Sequence, residues 1–236
     1  MLQQTQVARV LPKYDEFLAR FPTVFSLADA PVADVLSVWQ GLGYNRRALA
    51  LQQAAARIAT DHLGVIPCSP ADLVRLPGIG PATAAAVCVF AYDVPLPFIE
   101  TNVRSAFIHY FFPEGTAIRD ADLLPLVEAS LDRTAPRDWY YALMDYGVWV
   151  KKTYSNPSRR SRHHAVQSPF AGSRRQLRAL VLRRLLSVRP AEMTVAGLTA
   201  SLPDAWWADE AEIGAVIQEL AAEGFLVREG DAYRVA

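Results

Sequence analysis

Cysteine is almost missing: Cys68 and Cys88 are the only two among 236 residues. Two thiols cannot build a disulfide framework, and they cannot supply the four thiolates of a structural zinc or iron–sulfur site. Lysine is nearly as scarce, with Lys13, Lys151 and Lys152 making up three of 24 basic residues. No lysine stands between Lys13 and Lys151, which removes the side chain that Schiff-base chemistry needs from most of the chain. Long apolar runs are lacking too. The longest, Ala82 to Tyr92, falls short of the roughly 20 residues of a membrane span. Met1 leads into Gln3, Gln4 and Gln6 rather than into the apolar core of a signal peptide. The expectation is a cytoplasmic, monomeric globular protein without membrane contact. His62, His109, His163 and His164 have no partner set at metal-ligand spacing, so no metal site is expected.

What is present is a globular composition, 52% hydrophobic and 20% charged, with a formal net charge of zero. The zero conceals an asymmetry. Lys151 to Pro190 holds eleven Lys or Arg and no Asp or Glu, whereas Ala191 to Ala236 holds two basic and nine acidic residues. A forty-residue stretch with only positive charge points to a polyanion partner, here nucleic acid.

Apolar positions recur at helical spacing through most of the first 150 residues. Val7, Val10, Leu11, Tyr14 and Leu18 make one face of an opening helix. Further helices are expected at Asp34 to Gln40, Arg46 to His62, Pro81 to Tyr92, Asn102 to Phe112, Ala121 to Leu131 and Trp139 to Val150. Residues 1–153 therefore form an all-helical domain with short connections. Residues 154–173 are polar, basic and interrupted by proline and glycine, as a loop or linker is. Residues 174–236 follow another grammar: helices at Arg174 to Leu186, Thr194 to Leu202 and Glu210 to Gly224, then a hairpin from Phe225 to Val235 turning at Gly230. Three helices and a two-stranded wing make a small winged-helix domain. Its third helix carries Glu210, Glu212, Glu219 and Glu223, so it repels DNA and is suited to a protein partner.

The most informative segment is Leu76-Pro77-Gly78-Ile79-Gly80-Pro81-Ala82-Thr83-Ala84. Two glycines one residue apart let the backbone turn sharply and approach a ligand without a Cβ in the way. Pro81 suits the first helical position, where its missing N–H costs nothing. The helix behind it then points unpaired N–H groups and the positive end of its dipole into the turn, where a phosphate fits. One helix later comes Phe98-Ile99-Glu100-Thr101-Asn102-Val103-Arg104.

The hairpin L-P-G-I-G-P-A-T-A followed by a carboxylate and N-V-R resembles the helix-hairpin-helix (HhH-GPD) DNA glycosylases of base-excision repair. The opening M-L-Q-Q-T-Q, W-Q-G-L-G-Y at Trp39 to Tyr44, and L-M-D-Y-G at Leu143 to Gly147 are similar to the adenine-DNA glycosylase branch. The resemblance covers about residues 1 to 150 and implies a mainly α fold acting on double-stranded DNA. Glu100 stands where that family places its catalytic aspartate, one methylene longer, and Asn102 matches the asparagine beside it. Leu76, Pro77, Gly78, Ile79, Gly80, Ala82 and Thr83 are the implied phosphate-binding hairpin. Gln3, Gln4 and Tyr44 match residues that relatives insert beside an extruded base. The basic contacts to DNA are expected from Lys151, Lys152, Arg159, Arg160, Arg162, Arg174 and Arg175.

The departures from the family are as specific. Lyase-type relatives carry a lysine where this chain has Ala82, so hydrolysis without β-elimination is expected. Many relatives bind a four-iron cluster through cysteines after the helix that contains Asp145; this chain has Ser155 to His164 there, and no cluster is expected with Cys68 and Cys88 alone. The glutamate that protonates the departing adenine lies just upstream of M-L-Q-Q-T-Q in relatives, before Met1, so a native start further upstream is expected. Relatives of this branch carry a C-terminal domain that reads 8-oxoguanine; here a winged helix is expected in its place. The expected activity is excision of adenine opposite 8-oxoguanine or guanine. The alternatives are thymine or uracil opposite guanine, an alkylated purine, or a non-catalytic protein that recognises DNA damage or structure.

Overall fold

The structure, a computed structural model, describes residues 1–2, 5–202, 205 and 207–236. It divides into two compact units, and they do not follow chain order. One is the continuous segment Ile66–Val166; the other combines Met1–Val65 with Gln167–Ala236. The cores are therefore not divided as residues 1–153 and 174–236. The first four helices share one apolar core with the C-terminal segment, as Leu36, Trp39 and Ala48 pack with Leu177, Val181, Ile217 and Phe225.

That two-ended unit holds α1 (Val7–Arg20), α2 (Val24–Ala28), α3 (Val32–Trp39), α4 (Arg46–Asp61), α10 (Arg174–Ser187), α11 (Val195–Ala200) and α12 (Glu210–Ala222). Its strands are β1 (Met193–Thr194), β2 (Leu226–Glu229) and β3 (Ala232–Val235), in the order β1-β3-β2 and antiparallel throughout. Gly230 takes a φ of +64° at the turn, with Glu229 opposite Ala232 and Leu226 opposite Val235. The two-residue β1 escaped the sequence pattern, which needs a longer alternating run. The chain's two ends are joined by more than apolar packing. The Ala33 amide donates to the Ala236 carbonyl at 2.8 Å, Arg189 pairs with Asp34 at 2.8 Å, and Arg46 pairs with Glu223 at 2.5 Å. The opening helix differs from expectation in its inward face. Val10 and Phe17 are buried, while Val7, Leu11, Tyr14 and Leu18 are exposed, because the apolar arc of α1 is wider than the surface it packs on.

The continuous unit holds α5 (Pro70–Leu73), α6 (Pro81–Tyr92), α7 (Thr101–Phe111), α8 (Asp120–Ser130) and α9 (Pro136–Thr153), then a single 3-10 turn at Pro157–Arg160. Its core is Val89, Phe98, Val103, Phe107, Ile108, Leu123, Val127 and Tyr140. Tyr140 is fully buried and organises the extended stretch before α7. Its ring stacks on Phe98 at 4.1 Å, its hydroxyl accepts from the Phe98 amide at 2.8 Å, and it lies 3.1 Å from the Leu96 carbonyl, to which it donates. Burial pushes that hydroxyl's pKa up to about 12, so it stays a donor across physiological pH. Among the described residues, no helix is long and apolar enough to cross a membrane.

Candidate active site

Glu100 ends the stretch that Tyr140 holds and is the N-cap of α7. Its Oε1 accepts from the backbone amides of Asn102 at 2.5 Å and Val103 at 2.7 Å, and its Oε2 accepts from Asn102 Nδ2 at 3.2 Å. Serine, threonine, aspartate and asparagine are the usual caps because their oxygens reach these amides directly. The extra methylene of Glu100 is taken up by folding the side chain back onto the helix. The carboxylate is thus an anchored anion at the positive end of a helix dipole, with two amides and a side-chain amide fixing its orientation.

Asn102 does two things in this arrangement. Its Nδ2 steadies Glu100, and its Oδ1 is buried with no hydrogen-bond partner in the structure. A buried acceptor without a donor carries a free-energy cost of about 1–3 kcal/mol until something donates to it. The helix turn bearing both residues rests against α9 through Gly147. A Cβ built there would lie 2.2 Å from the Asn102 carbonyl oxygen and 2.6 Å from its carbon. This close approach is the physical content of the glycine in L-M-D-Y-G. The neighbouring Asp145 is exposed.

The N-V-R arginine proves structural. Arg104 Nε and Nη2 donate to the two oxygens of Asp120 at 2.8 and 2.7 Å, tying α7 to the start of α8. This fork holds the Asp120 carboxyl below the usual carboxylate range. Asp120 is a residue the sequence reading missed; its pairing is set sixteen residues away and leaves no local pattern.

The hairpin forms as expected. Leu73 and Leu76 are buried, Gly78 takes a φ of +73°, and the Ile79 amide donates to the Leu76 carbonyl at 3.2 Å. Gly80 caps α6 with no side chain, Pro81 occupies the first turn, and Ala82 is exposed beside it. The two glycines serve different needs. Gly78 supplies a backbone conformation that other residues adopt at a cost of about 1–2 kcal/mol. Gly80 has an ordinary φ of −87° and nothing within 4 Å of where a Cβ would be, so its bareness leaves open space at the helix N-terminus.

The basic candidates behave differently from one another. Lys151, Lys152, Arg159 and Arg162 make no ion pair among the described residues, and Lys152, Arg159 and Arg162 are exposed. Arg160 instead points inward, donating from Nη1 to the carbonyls of Phe112 and Pro113. In the other unit, Arg174 pairs with Glu219 at 2.6 Å, and Arg175 donates to the Ser168 carbonyl at 2.5 Å. Glu219 and Glu223 also pair with Arg178, and Arg46 and Arg178 hold the Glu223 carboxyl below its usual range. The acidic face of α12 is therefore partly neutralised within its own unit.

Tyr44 lies in that two-ended unit, in a loop where Gly41, Gly43 and Tyr44 have φ values of +90°, +71° and +51°. Trp39 Nε1 donates to the Gly43 carbonyl at 3.0 Å and pins the loop. Tyr44 is 41% exposed, lies under the Arg47 guanidinium at 5.1 Å, and accepts from Gln167 at 2.8 Å. An exposed aromatic in a left-handed conformation is strained, and strain of this kind gathers at ligand-binding positions. Gln3 and Gln4 lie outside the described residues.

The donors between Lys151 and His164 are not those of an iron–sulfur site. Ser158 and Ser161 are buried hydroxyls, and Ser158 Oγ already lies 2.5 Å from Ser105 Oγ. Cys88 Sγ donates to the Cys68 carbonyl at 3.1 Å. Among the described residues no three His, Cys, Asp or Glu side chains are grouped to hold a metal ion.

A family model described as HhH-GPD superfamily base excision DNA repair protein matches residues 1–134. The adenine DNA glycosylase of Mycobacterium tuberculosis (strain ATCC 25618 / H37Rv) is 36% identical over 260 aligned residues, covering 98% of this chain and 81% of that protein. The adenine DNA glycosylase of Mycolicibacterium smegmatis is 32% identical over 249 residues, covering 98% and 83%. Among solved structures, a thermostable thymine-DNA glycosylase superposes with a TM-score of 0.54 at 25% identity, covering 62% of this chain and 69% of that one. Endonuclease III in a non-covalent complex with DNA gives 0.53 at 18% identity, covering 72% and 73%, which shows the shared fold.

Proposed function

Because this chain belongs to the HhH-GPD superfamily of base excision DNA repair proteins and is a homologue of adenine DNA glycosylase, we propose that it hydrolyses the N-glycosidic bond of a base flipped out of duplex DNA. Adenine opposite 8-oxoguanine or guanine is the lead substrate, as the names of its curated relatives suggest. The observation that carries the reading is the anchored carboxylate of Glu100 beside the unpartnered Oδ1 of Asn102.

Breaking the bond between the base and C1′ leaves the electron pair on the base and oxocarbenium character on the sugar. A fixed negative charge stabilises that cation most when it needs no reorganisation, and the amides of Asn102 and Val103 supply the fixing. Asn102 Oδ1 accepts a hydrogen bond from the water that adds to C1′, which satisfies its buried oxygen, and the proton this water gives up as its oxygen bonds to C1′ goes to the electron pair left on the departing base. The hairpin at Gly78 to Ala82 holds one phosphate without reading sequence. Tyr44 enters the space beside the extruded base, its strained backbone presenting the ring. Residues 174–236 act as a winged helix that presents a protein-docking face rather than a recognition helix. With Ala82 in the first turn of α6 and no lysine between Lys13 and Lys151, hydrolysis proceeds without a Schiff base. Serine hydroxyls that are already hydrogen-bonded do not fit an iron–sulfur cluster, so none of these steps runs through one.

The test is base release from a panel of duplexes, each with one mismatch or lesion, by the wild type and Glu100→Gln. Release of one base class that falls about 100-fold or more in the variant supports the reading. Equal release by both proteins overturns the role of Glu100, and a covalent DNA complex trapped by borohydride overturns the hydrolytic mechanism.

A further inference from the structure

The guanidinium of Arg47, in the first turn of α4, gathers contacts from the loop that carries Tyr44. Its central carbon lies over the Tyr44 ring at 5.1 Å and over the Trp39 ring at 5.8 Å. The two rings differ in freedom. Trp39 is buried and its Nε1 is tied to the Gly43 carbonyl, whereas Tyr44 is exposed. Arg47 therefore links an exposed ring to a fixed one through a cation that both rings attract. An exposed tyrosine would otherwise sample several rotamers. The backbone works in the same direction, since the Arg47 amide donates to the Tyr44 carbonyl at 2.8 Å and holds that residue at the entry to α4.

The same side chain also reaches the opening of the chain. Nη1 donates to the Met1 carbonyl at 3.3 Å, and Nη2 donates to Thr5 Oγ1 at 3.1 Å. Thr5 Oγ1 in turn donates to the Leu42 carbonyl at 3.2 Å, on the loop between Trp39 and Tyr44. Met1 and Thr5 flank Gln3 and Gln4 in the sequence. The residues matched to strand insertion thus come from two stretches distant in sequence, and one guanidinium holds both stretches. A planar group with several fixed donors can stack on a ring while reaching two separate oxygens; an ammonium is a compact point charge and cannot. Inserting side chains into a base stack costs free energy, and a wedge ordered before binding has less entropy left to lose.

We propose that Arg47 is the positioning residue that joins Tyr44 and the residues flanking Gln3 and Gln4 into one preformed wedge for opening the DNA stack. The inference rests on the glycosylase reading for the need to extrude a base. Arg47 acts through Tyr44 and the opening segment, and it needs no contact with the base or the sugar. Its neighbour Arg46 has a different task, pairing with Glu223 in the same unit. Adjacent arginines at the start of α4 thereby divide the packing of the unit from the building of the wedge.

Unstacking is read with 2-aminopurine placed beside the target base, where its fluorescence rises as the neighbour leaves the stack. The duplex is the one from which the panel shows release, or adenine opposite 8-oxoguanine if there is none. Full-length wild type, Arg47→Lys and Arg47→Gln are compared at saturating protein, with Arg57→Ala removing an exposed charge from the same helix. Anisotropy reports binding, and every assay runs below each variant's melting midpoint. Arg47→Lys keeps the charge, so its binding should stay within about threefold of wild type. In both Arg47 variants the fluorescence rise should shrink and single-turnover base release should fall about tenfold, while Arg57→Ala matches wild type. A merely structural loss would lower binding along with release. That pattern, failure of both Arg47 variants to fold, no fluorescence rise in wild type, or an equal loss in Arg57→Ala would each overturn the proposal. Release of base by wild type with the same rise in every variant would remove the role of Arg47 alone. A larger rise in wild type than in Arg47→Lys, with no base released from any duplex, would leave the wedge standing and remove the glycosylase reading.

Discussion

Replacing Gly147 with alanine introduces one methyl group at the point where α9 touches the turn bearing Glu100 and Asn102. The new carbon would meet the Asn102 carbonyl oxygen at 2.2 Å, its carbon at 2.6 Å and its Cα at 2.9 Å. All three are backbone atoms, so no rotamer change relieves the clash. Ordinary contact requires the helices to separate by about 1 Å. Overpacking of this kind costs about 1–3 kcal/mol, which lowers the melting temperature by roughly 2–4 °C per kcal/mol in a chain of this length. The effect on chemistry should be larger. The Asn102 amide is one of the two that orient Glu100, and an error of about 1 Å in a reacting group costs about 100-fold in rate. Single-turnover base release with enzyme in excess isolates the chemical step, and anisotropy with an unmodified duplex reports binding separately. The expected result is a rate loss of about two orders of magnitude with near wild-type affinity. A variant that melts within about 1 °C of wild type and releases base at the wild-type rate would refute the reasoning.

Other expectations follow from the same contacts. Asp120→Asn removes the fork with Arg104 and should destabilise the protein at neutral pH by about 1–2 kcal/mol, below the figure for a buried pair because the Asp120 side chain is 37% exposed. Since Arg104 lowers the folded-state pKa of Asp120, the wild type keeps this contribution above the ordinary aspartate value and loses it as pH falls through the folded one. Melting curves between neutral and acid pH should therefore converge for the two proteins. Gly78→Ala should cost about 1–2 kcal/mol through its left-handed backbone, whereas Gly80→Ala should leave melting nearly unchanged and weaken DNA binding, because only the open space beside it is lost. Tyr44→Gly should hold or slightly raise the melting temperature by relieving a φ of +51°, while lowering base release; a parallel fall in both would assign Tyr44 to packing alone.

Among the helices of residues 66–166, α6 was legible from its own boundary signal, Pro81 after Gly80, whereas α7 and α9 were read from their apolar period and begin at Thr101 and Pro136 rather than at Asn102 and Trp139. The hairpin was legible for the same reason as α6, since turn chemistry acts within a few residues, whereas Glu100 stood out through the family resemblance and its capping of α7 comes from the structure. What eluded the sequence acts over distance. Arg160 follows Arg159 in the chain, yet one is spent on carbonyls near residue 112 and the other faces solvent; composition treats them alike. The sharing of one core between Trp39 and Phe225 is likewise invisible to periodicity, which reports that a face is apolar and not what covers it. The same limit explains α1, where Leu11 and Tyr14 matched the helical period but face outward.

The origin of one core in both ends of the chain also bears on how the protein comes to be made. Residues 66–166 are continuous and can complete their packing as they leave the ribosome. The first 65 residues cannot, since Leu36, Trp39 and Ala48 await partners from α10 and α12 that are synthesised more than a hundred positions later. At about 5–20 residues per second, that interval is roughly 10–30 s, long enough for chaperones to engage the uncovered helices. Removing the last seventy residues would therefore not trim an appendage. It would leave the opening helices with an apolar face that nothing later in translation arrives to cover.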